Sequence, residues 1–141
     1  MKKILIVNGP NLNFLGKREP EIYGNVTMEF FLDELRIKFS DIEIEFFQSN
    51  IEGEIINSLQ NAQGKINGII LNAAAYSHTS IAIADAINFI NIPVVEVHIS
   101  NVYAREEYRN TMITAKKCVG VISGLGLKGY ELALRFLIEK N

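Results

Sequence analysis

Five short apolar runs, at 4–7, 42–47, 68–71, 94–97 and 119–122, alternate with segments of helical periodicity along this chain. Each run has strand length, and a nearly continuous apolar stretch marks a strand buried on both faces. Residues 28–39 place Phe31, Leu35 and Phe39 on one helical face, with Thr27 as N-cap. Residues 52–62 turn Ile55, Ile56 and Leu59 inward, 80–90 form a third helix, and 129–140 carry Leu132, Leu134, Phe136 and Leu137. A shorter helix is predicted over 105–115. Successive strands separated by helices lie parallel through right-handed crossovers, so the alternation predicts a parallel sheet covered on both faces.

Among doubly wound arrangements the pattern fits the flavodoxin-like strand order 2-1-3-4-5. The fold class is therefore α/β, five-stranded, with residues 1–141 as a single domain long enough to bury a real core. The composition, 48% hydrophobic and 21% charged, is that of an ordinary soluble globular protein. A formal net charge of -2 without a basic block points away from nucleic acid and from anionic membrane surfaces. No run approaches the ~20 apolar residues of a membrane span, and the first apolar run is too short for a signal peptide. A cytoplasmic location is expected. The single Cys118 cannot form an intrachain disulfide and reads as a buried, inert thiol. Asn25-Val26-Thr27 matches the glycosylation triplet, but without an export signal it is a chance match.

The longest connection carries the chemistry. Residues 8–24 follow the first strand as a loop rich in Gly, Pro and Asn, whereas strand-to-helix connections usually take about two to six residues. This loop holds Arg18, Glu19 and Tyr23. The third strand leads into Asn72 and then His78; the fourth leads into His98, Ile99 and Ser100, followed by Arg105 and Arg109. Both histidines thus fall at carboxyl ends of strands, the edge where doubly wound sheets bind ligands.

Several motifs are decoys. Residues 124–129 (GLGLKG) match the dinucleotide fingerprint, yet the strand and acidic residue that should follow are missing. The segment reads instead as a tight turn with close helix–sheet packing. A flavodoxin would carry a Ser/Thr/Gly-rich phosphate loop after strand one, and a phospho-receiver would carry acids where Asn8 and Asn72 stand. Two distant histidines and one cysteine make no metal-ligand spacing, so neither metal nor organic cofactor is expected.

What remains is a pocket with a Tyr–Arg pair, two histidines, Asn and Ser groups and spare arginines, which suit a carboxylate ligand. Ionising a tyrosine at pH 7 costs about 4 kcal/mol, and a guanidinium within a few ångströms offsets much of that. Tyr23 beside Arg18 could then remove a proton alpha to a carbonyl while a histidine protonates a leaving group. The competing reading leaves Tyr23 packed as an amphipathic loop residue and Arg18 paired with Glu19 at the surface.

Four stretches, 8–24 (NGPNLNFLGKREPEIYG), 72–80 (NAAAYSHTS), 96–109 (EVHISNVYAREEYR) and 124–130 (GLGLKGY), strongly resemble the type II 3-dehydroquinate dehydratases, in order over essentially the whole chain. The resemblance implies a flavodoxin-like subunit assembled as a dodecamer of four trimers. It implies cofactor-free anti elimination of water from 3-dehydroquinate, through an enolate, to give 3-dehydroshikimate in the shikimate pathway. Carried over, Tyr23 would be the base, made ionisable by Arg18, and His98 the acid for the departing C1 hydroxyl. Asn11 would position the water that stabilises the enolate oxygen. Asn72, His78, Ile99, Ser100 and Arg109 would hold substrate hydroxyls and carboxylate. Asp85 matches a residue that the family contributes from a neighbouring subunit, Glu96 one that orients His98 or a local polar network, and the loop over 13–24 would act as a lid.

Three positions depart from the family's habit: Ala73, where a Pro is common, Ala84, where an Arg is common, and Asn110-Thr111-Met112 in place of a His-His-Ser-like run. None removes a group named above. Two other readings of the residues are a catalytically silent module that binds a small carboxylate or nucleotide, and a flavoprotein.

Overall fold

A computed structural model of the chain describes residues 1–17, 21 and 26–140. Five parallel strands, β1 (Lys3–Asn8), β2 (Glu43–Gln48), β3 (Gly68–Asn72), β4 (Val94–His98) and β5 (Gly120–Ser123), form one sheet in the order β2-β1-β3-β4-β5. Among the described residues the α-helices are α1 (Met28–Lys38), α2 (Glu52–Asn61), α3 (Ile81–Phe89) and α4 (Lys128–Glu139). The strand order and parallel sense are those the alternation predicts.

The central strands are buried on both faces, and their side chains divide by alternation. Ile4 and Ile6 join Leu32 and Leu35 of α1 and Tyr130, Leu134 and Leu137 of α4 in one apolar cluster. Leu5 and Val7 join Ile55 and Leu59 of α2 and Ile83 and Ile87 of α3 in the other. Each fully buried Leu or Ile contributes roughly 1.5–3 kcal/mol. The helices therefore have apolar stripes facing the sheet, as their periodicity requires.

Local signals start and stop these helices. Thr27 stands in extended conformation and its Oγ1 accepts from the Phe30 N–H, the N-cap expected for α1. Ser80 does the same for α3 through the Ile83 N–H at 2.9 Å. The C-terminal carbonyls of α4 are covered from the other end of the chain, where Lys2 Nζ donates to Ile138 O and Lys140 O.

Two details differ from expectation, and a third, the tight packing of the glycine-rich turn, meets it. In α4 the buried apolar side chains are Tyr130, Ala133, Leu134 and Leu137, spaced as one helical face, while Leu132 and Phe136 are exposed. Residues 105–115 form no helix continuous through that span. Glu107–Asn110 is a short 3-10 turn, and Ile113 and Thr114 instead donate their N–H groups to Ser77 O. That long-range bonding draws the segment out of the helical ladder. The fingerprint-like turn is steeply bent, with Gly124 and Gly126 at φ 91° and 63°. A Cβ on Gly129 would lie 3.2 Å from Val97 and 3.3 Å from Ile122, so the glycine is what lets α4 close onto the sheet.

Gly9 matters more for the site. Its N–H donates to Asn72 O at 2.7 Å, and a Cβ there would sit 2.5 Å from Ala73 O. We expect Gly9→Ala to destabilise the protein by about 1–3 kcal/mol, because backbone rather than a flexible side chain must yield. Denaturant unfolding measures this, and an unchanged midpoint would contradict the close approach.

Lys38, Lys128 and Arg135 converge on Glu131 Oε2 at 3.0–3.2 Å. Burial alone would raise its pKa, but the three cations outweigh it and hold the carboxyl near 2, against a usual 4.5. A depressed carboxyl contributes stability above its unfolded pKa and loses it below. The urea midpoint should therefore drop between pH 4.5 and 2 more steeply in the unmodified chain than in Glu131→Gln.

Candidate functional site

The strand order reverses between β1 and β3, and a cavity of about 310 Å³ opens at the carboxyl ends there. Asn11, Asn72, His78, His98, Ile99, Ser100 and Arg109 all line it. These residues come from three different loops, and the register explains their meeting. Asn8 pairs with Asn72 across β1 and β3, and His98 pairs with Ser123 across β4 and β5, so the strands end along one edge.

Each group is held by identifiable contacts. Asn11 takes a left-handed conformation at φ 71°, and its N–H donates to Asn50 Oδ1 at 3.0 Å. Asn72 is buried; its Oδ1 accepts from the Ala74 N–H at 3.2 Å. Ala74, itself a lining residue, has φ 53°, a strained value for a residue with a Cβ. The Ile99-Ser100 turn leans on the glycine-rich loop. Gly126 N–H donates to Ile99 O at 3.0 Å, and Ser123 Oγ donates to Ser100 O at 3.2 Å. The apparent dinucleotide motif is thus a buttress for a cavity wall.

The two imidazoles stack with centroids 6.0 Å apart and planes 28° from parallel. His98 Nε2 lies 2.7 Å from Glu96 Oε2; a carboxylate accepts, so this nitrogen carries the proton and Nδ1 is left for the cavity. Glu96 is fully buried, and its other oxygen accepts from Thr114 Oγ1. His78 Nδ1 lies 2.8 Å from Thr111 O, a carbonyl that can only accept, so His78 is protonated on Nδ1 and keeps a lone pair on Nε2. Its pKa is lowered from 6.5, chiefly by burial, although the Thr111 bond opposes this; the His98 and Arg109 charges push the same way as burial. At neutral pH His78 is therefore an acceptor. Arg109 reaches Glu106 from Nε at 3.1 Å.

The expected base pair, Arg18 and Tyr23, lies outside the described residues, as do Glu19 and, in all, half of the 13–24 segment read as a lid. Leu12, Phe14 and Leu15, which lead into that segment, line the cavity. Asp85 is exposed on α3 and does not line it. Arg105, weighed only as a spare cation, also lines the cavity, and its Nη1 donates to Ser100 Oγ at 3.4 Å. Thr114 went unnoticed because nothing in the sequence links it to Glu96, 18 residues earlier. Cys118, expected to be buried, is half-buried, and burial, with Glu96 nearby, pushes its thiol up to about 12, which disfavours the reactive thiolate. Among the described residues no cluster of three metal-ligating side chains occurs.

Known proteins with this arrangement agree among themselves. A model of the family described as Dehydroquinase class II matches residues 2–138. A curated relative from Clostridium botulinum, named 3-dehydroquinate dehydratase, is 55% identical over 99% of this chain and 96% of its own length. The crystal structure of the type II dehydroquinase from Propionibacterium acnes superposes with a TM-score of 0.94 at 42% identity, covering 99% of this chain and 98% of its own. That from Butyrivibrio crossotus gives 0.93 at 48%, covering 97% of each chain. On this similarity, end to end in sequence and in fold, the chain belongs to the dehydroquinase class II family and is an enzyme of the hydro-lyase kind.

Proposed function

We propose that this chain removes water from 3-dehydroquinate to give 3-dehydroshikimate, by anti elimination through an enolate, as a step of aromatic amino acid biosynthesis. The observation that supports this most directly is the histidine pair in one small cavity, each ring fixed by an acceptor on one nitrogen, with the other nitrogen left for a ligand. A cavity of about 310 Å³ lies at the small end of ligand pockets and suits a compact hydroxy acid.

Within that reading His98 is the general acid. Its Nε2–H stays on Glu96, a second proton taken up from solvent on the cavity-facing Nδ1 passes to the departing C1 hydroxyl, and the buried carboxylate offers the transient imidazolium a counter-charge. Tyr23, ionised beside Arg18, takes the C2 proton, and Asn11 positions a water at the enolate oxygen. Neutral His78 accepts from a substrate hydroxyl through Nε2, while Asn72, Ile99 and Ser100 hold the remaining oxygens and Arg109 the carboxylate. Asp85 reaches the site of an adjoining copy, which makes a trimer the smallest complete unit and a dodecamer of four trimers the assembly. No helix of the described residues is long and apolar enough to cross a membrane, in keeping with a cytoplasmic enzyme.

The assay is the rise in ultraviolet absorbance of the conjugated enone product. No rise with authentic 3-dehydroquinate would refute the reading and favour a silent carboxylate-binding module. Tyr23→Phe and His98→Ala should each lower kcat by roughly 10²–10⁴-fold. In Tyr23→Phe, KM should stay within a few-fold, since only the proton acceptor is lost; near-normal turnover there would move the base elsewhere. Imidazole ¹⁵N NMR should find His78 protonated on Nδ1 at pH 7 and gaining its second proton only below 6.5. A neutral ring protonated on Nε2 would remove it as an acceptor.

A further inference from the structure

Beneath the cavity, Asn72 is backed by a buried polar chain through Tyr130 and Asn8, two residues that no role above uses. Tyr130, the third residue of α4, is fully buried in the apolar cluster, its ring 6.0 Å from that of Phe31. Its hydroxyl emerges from that cluster between two strand ends. It donates to Asn8 Oδ1 at 2.8 Å and accepts from Asn72 Nδ2 at 2.9 Å.

Burial pushes the phenol's pKa upward, so the group stays protonated and its one hydrogen is committed to Asn8. Its lone pair is then what Asn72 meets. Asn72 is held at both ends: Oδ1 accepts from the Ala74 N–H, and Nδ2 gives one hydrogen to Tyr130. Rotating this amide by half a turn would set its NH₂ against the Ala74 N–H, two donors facing each other. One orientation is therefore selected, and the second Nδ2 hydrogen is the one Asn72 has for the cavity it lines.

Asn8 fits the same logic. Its Oδ1 is used by Tyr130, while its Nδ2 is buried with no partner among the described residues. A buried unpaired amide hydrogen costs stability, and the bond that Oδ1 accepts from Tyr130 offsets part of that cost.

We propose that Tyr130 is a positioning residue: through its bonds to Asn8 and Asn72 it locks the Asn72 amide as a hydrogen-bond donor towards a substrate oxygen. This rests on the proposed dehydratase reading and deepens it, adding the group that sets the polarity of one binding contact. A phenylalanine at this position would leave the core packing intact but take away the acceptor for Nδ2, so the amide would be held through Oδ1 alone and its donor would no longer be aimed.

The test is steady-state kinetics of Tyr130→Phe, Asn72→Ala and the double variant, with thermal melting of each. Tyr130→Phe should raise KM about tenfold, the worth of one oriented donor, with kcat within twofold of the unmodified enzyme. In the Asn72→Ala background the same change should leave KM untouched, because the group it orients is gone. Asn8→Ala, which frees the phenolic hydrogen, should raise KM in the same direction and serves if Tyr130→Phe does not fold. A lowered melting temperature with unchanged KM and kcat would make the chain of bonds a structural stitch and overturn the proposal. So would an equal rise in KM with and without Asn72. If the unmodified chain shows no dehydratase activity, the functional reading fails and the proposal with it; normal activity with unaltered variants sinks the proposal alone.

Discussion

Strands β1, β3 and β4 are buried almost throughout, so their backbone N–H and C=O groups must find partners in the neighbouring strands and the loops beside them. Parallel pairing meets that need in a single register, and the register decides what meets at the carboxyl edge. Asn8 stands beside Asn72, and the ladder is extended one step by the Gly9 bond to Asn72 O. With no side chain, Gly9 lets the two strand ends approach closely enough for Tyr130 to reach both asparagines. A slip of one residue in β1 or β3 would turn these groups to the opposite face.

Behind the cavity the fold keeps polar groups where an apolar residue would pack more cheaply. Glu96 is buried on a central strand, and its carboxylate is tolerable there because His98 and Thr114 occupy both oxygens. Thr114 can do so only because its loop is tied to Ser77 O, which also brings Thr111 O up to His78. The two imidazoles are thus oriented from behind by one loop that itself makes no helix. Groups fixed in this way before a ligand arrives need no reorganisation when charge develops, which is where preorganised sites gain most.

How much of this the sequence displayed varies with the range of the interaction. Thr27 and Ser80 announced helix starts because a capping hydroxyl acts within three residues of itself. The parallel sheet followed from alternation and handedness, whereas the order 2-1-3-4-5 is one choice among doubly wound folds, and it is the order observed. Leu132 and Phe136, by contrast, look like core residues in isolation, and only the direction in which α4 meets the sheet turns Tyr130 and Ala133 inward instead. Residues 105–115 carry helix-forming side chains, yet Ser77, far back in the chain, claims the backbone groups a helix would need.

The amino-acid sequence by itself determined the class of fold, the family and the edge of the sheet where polar groups would collect, because periodicity and motif are written in neighbouring residues. The tertiary structure alone decided which nitrogen of each histidine holds its proton, that Thr114 completes Glu96's bonding, and that Tyr130 bridges two asparagines. Apart from the His98–Glu96 bond, between residues two apart on one strand, those outcomes depend on distances between residues 18 to 122 positions apart, closed only when the sheet assembles. No local pattern encodes them.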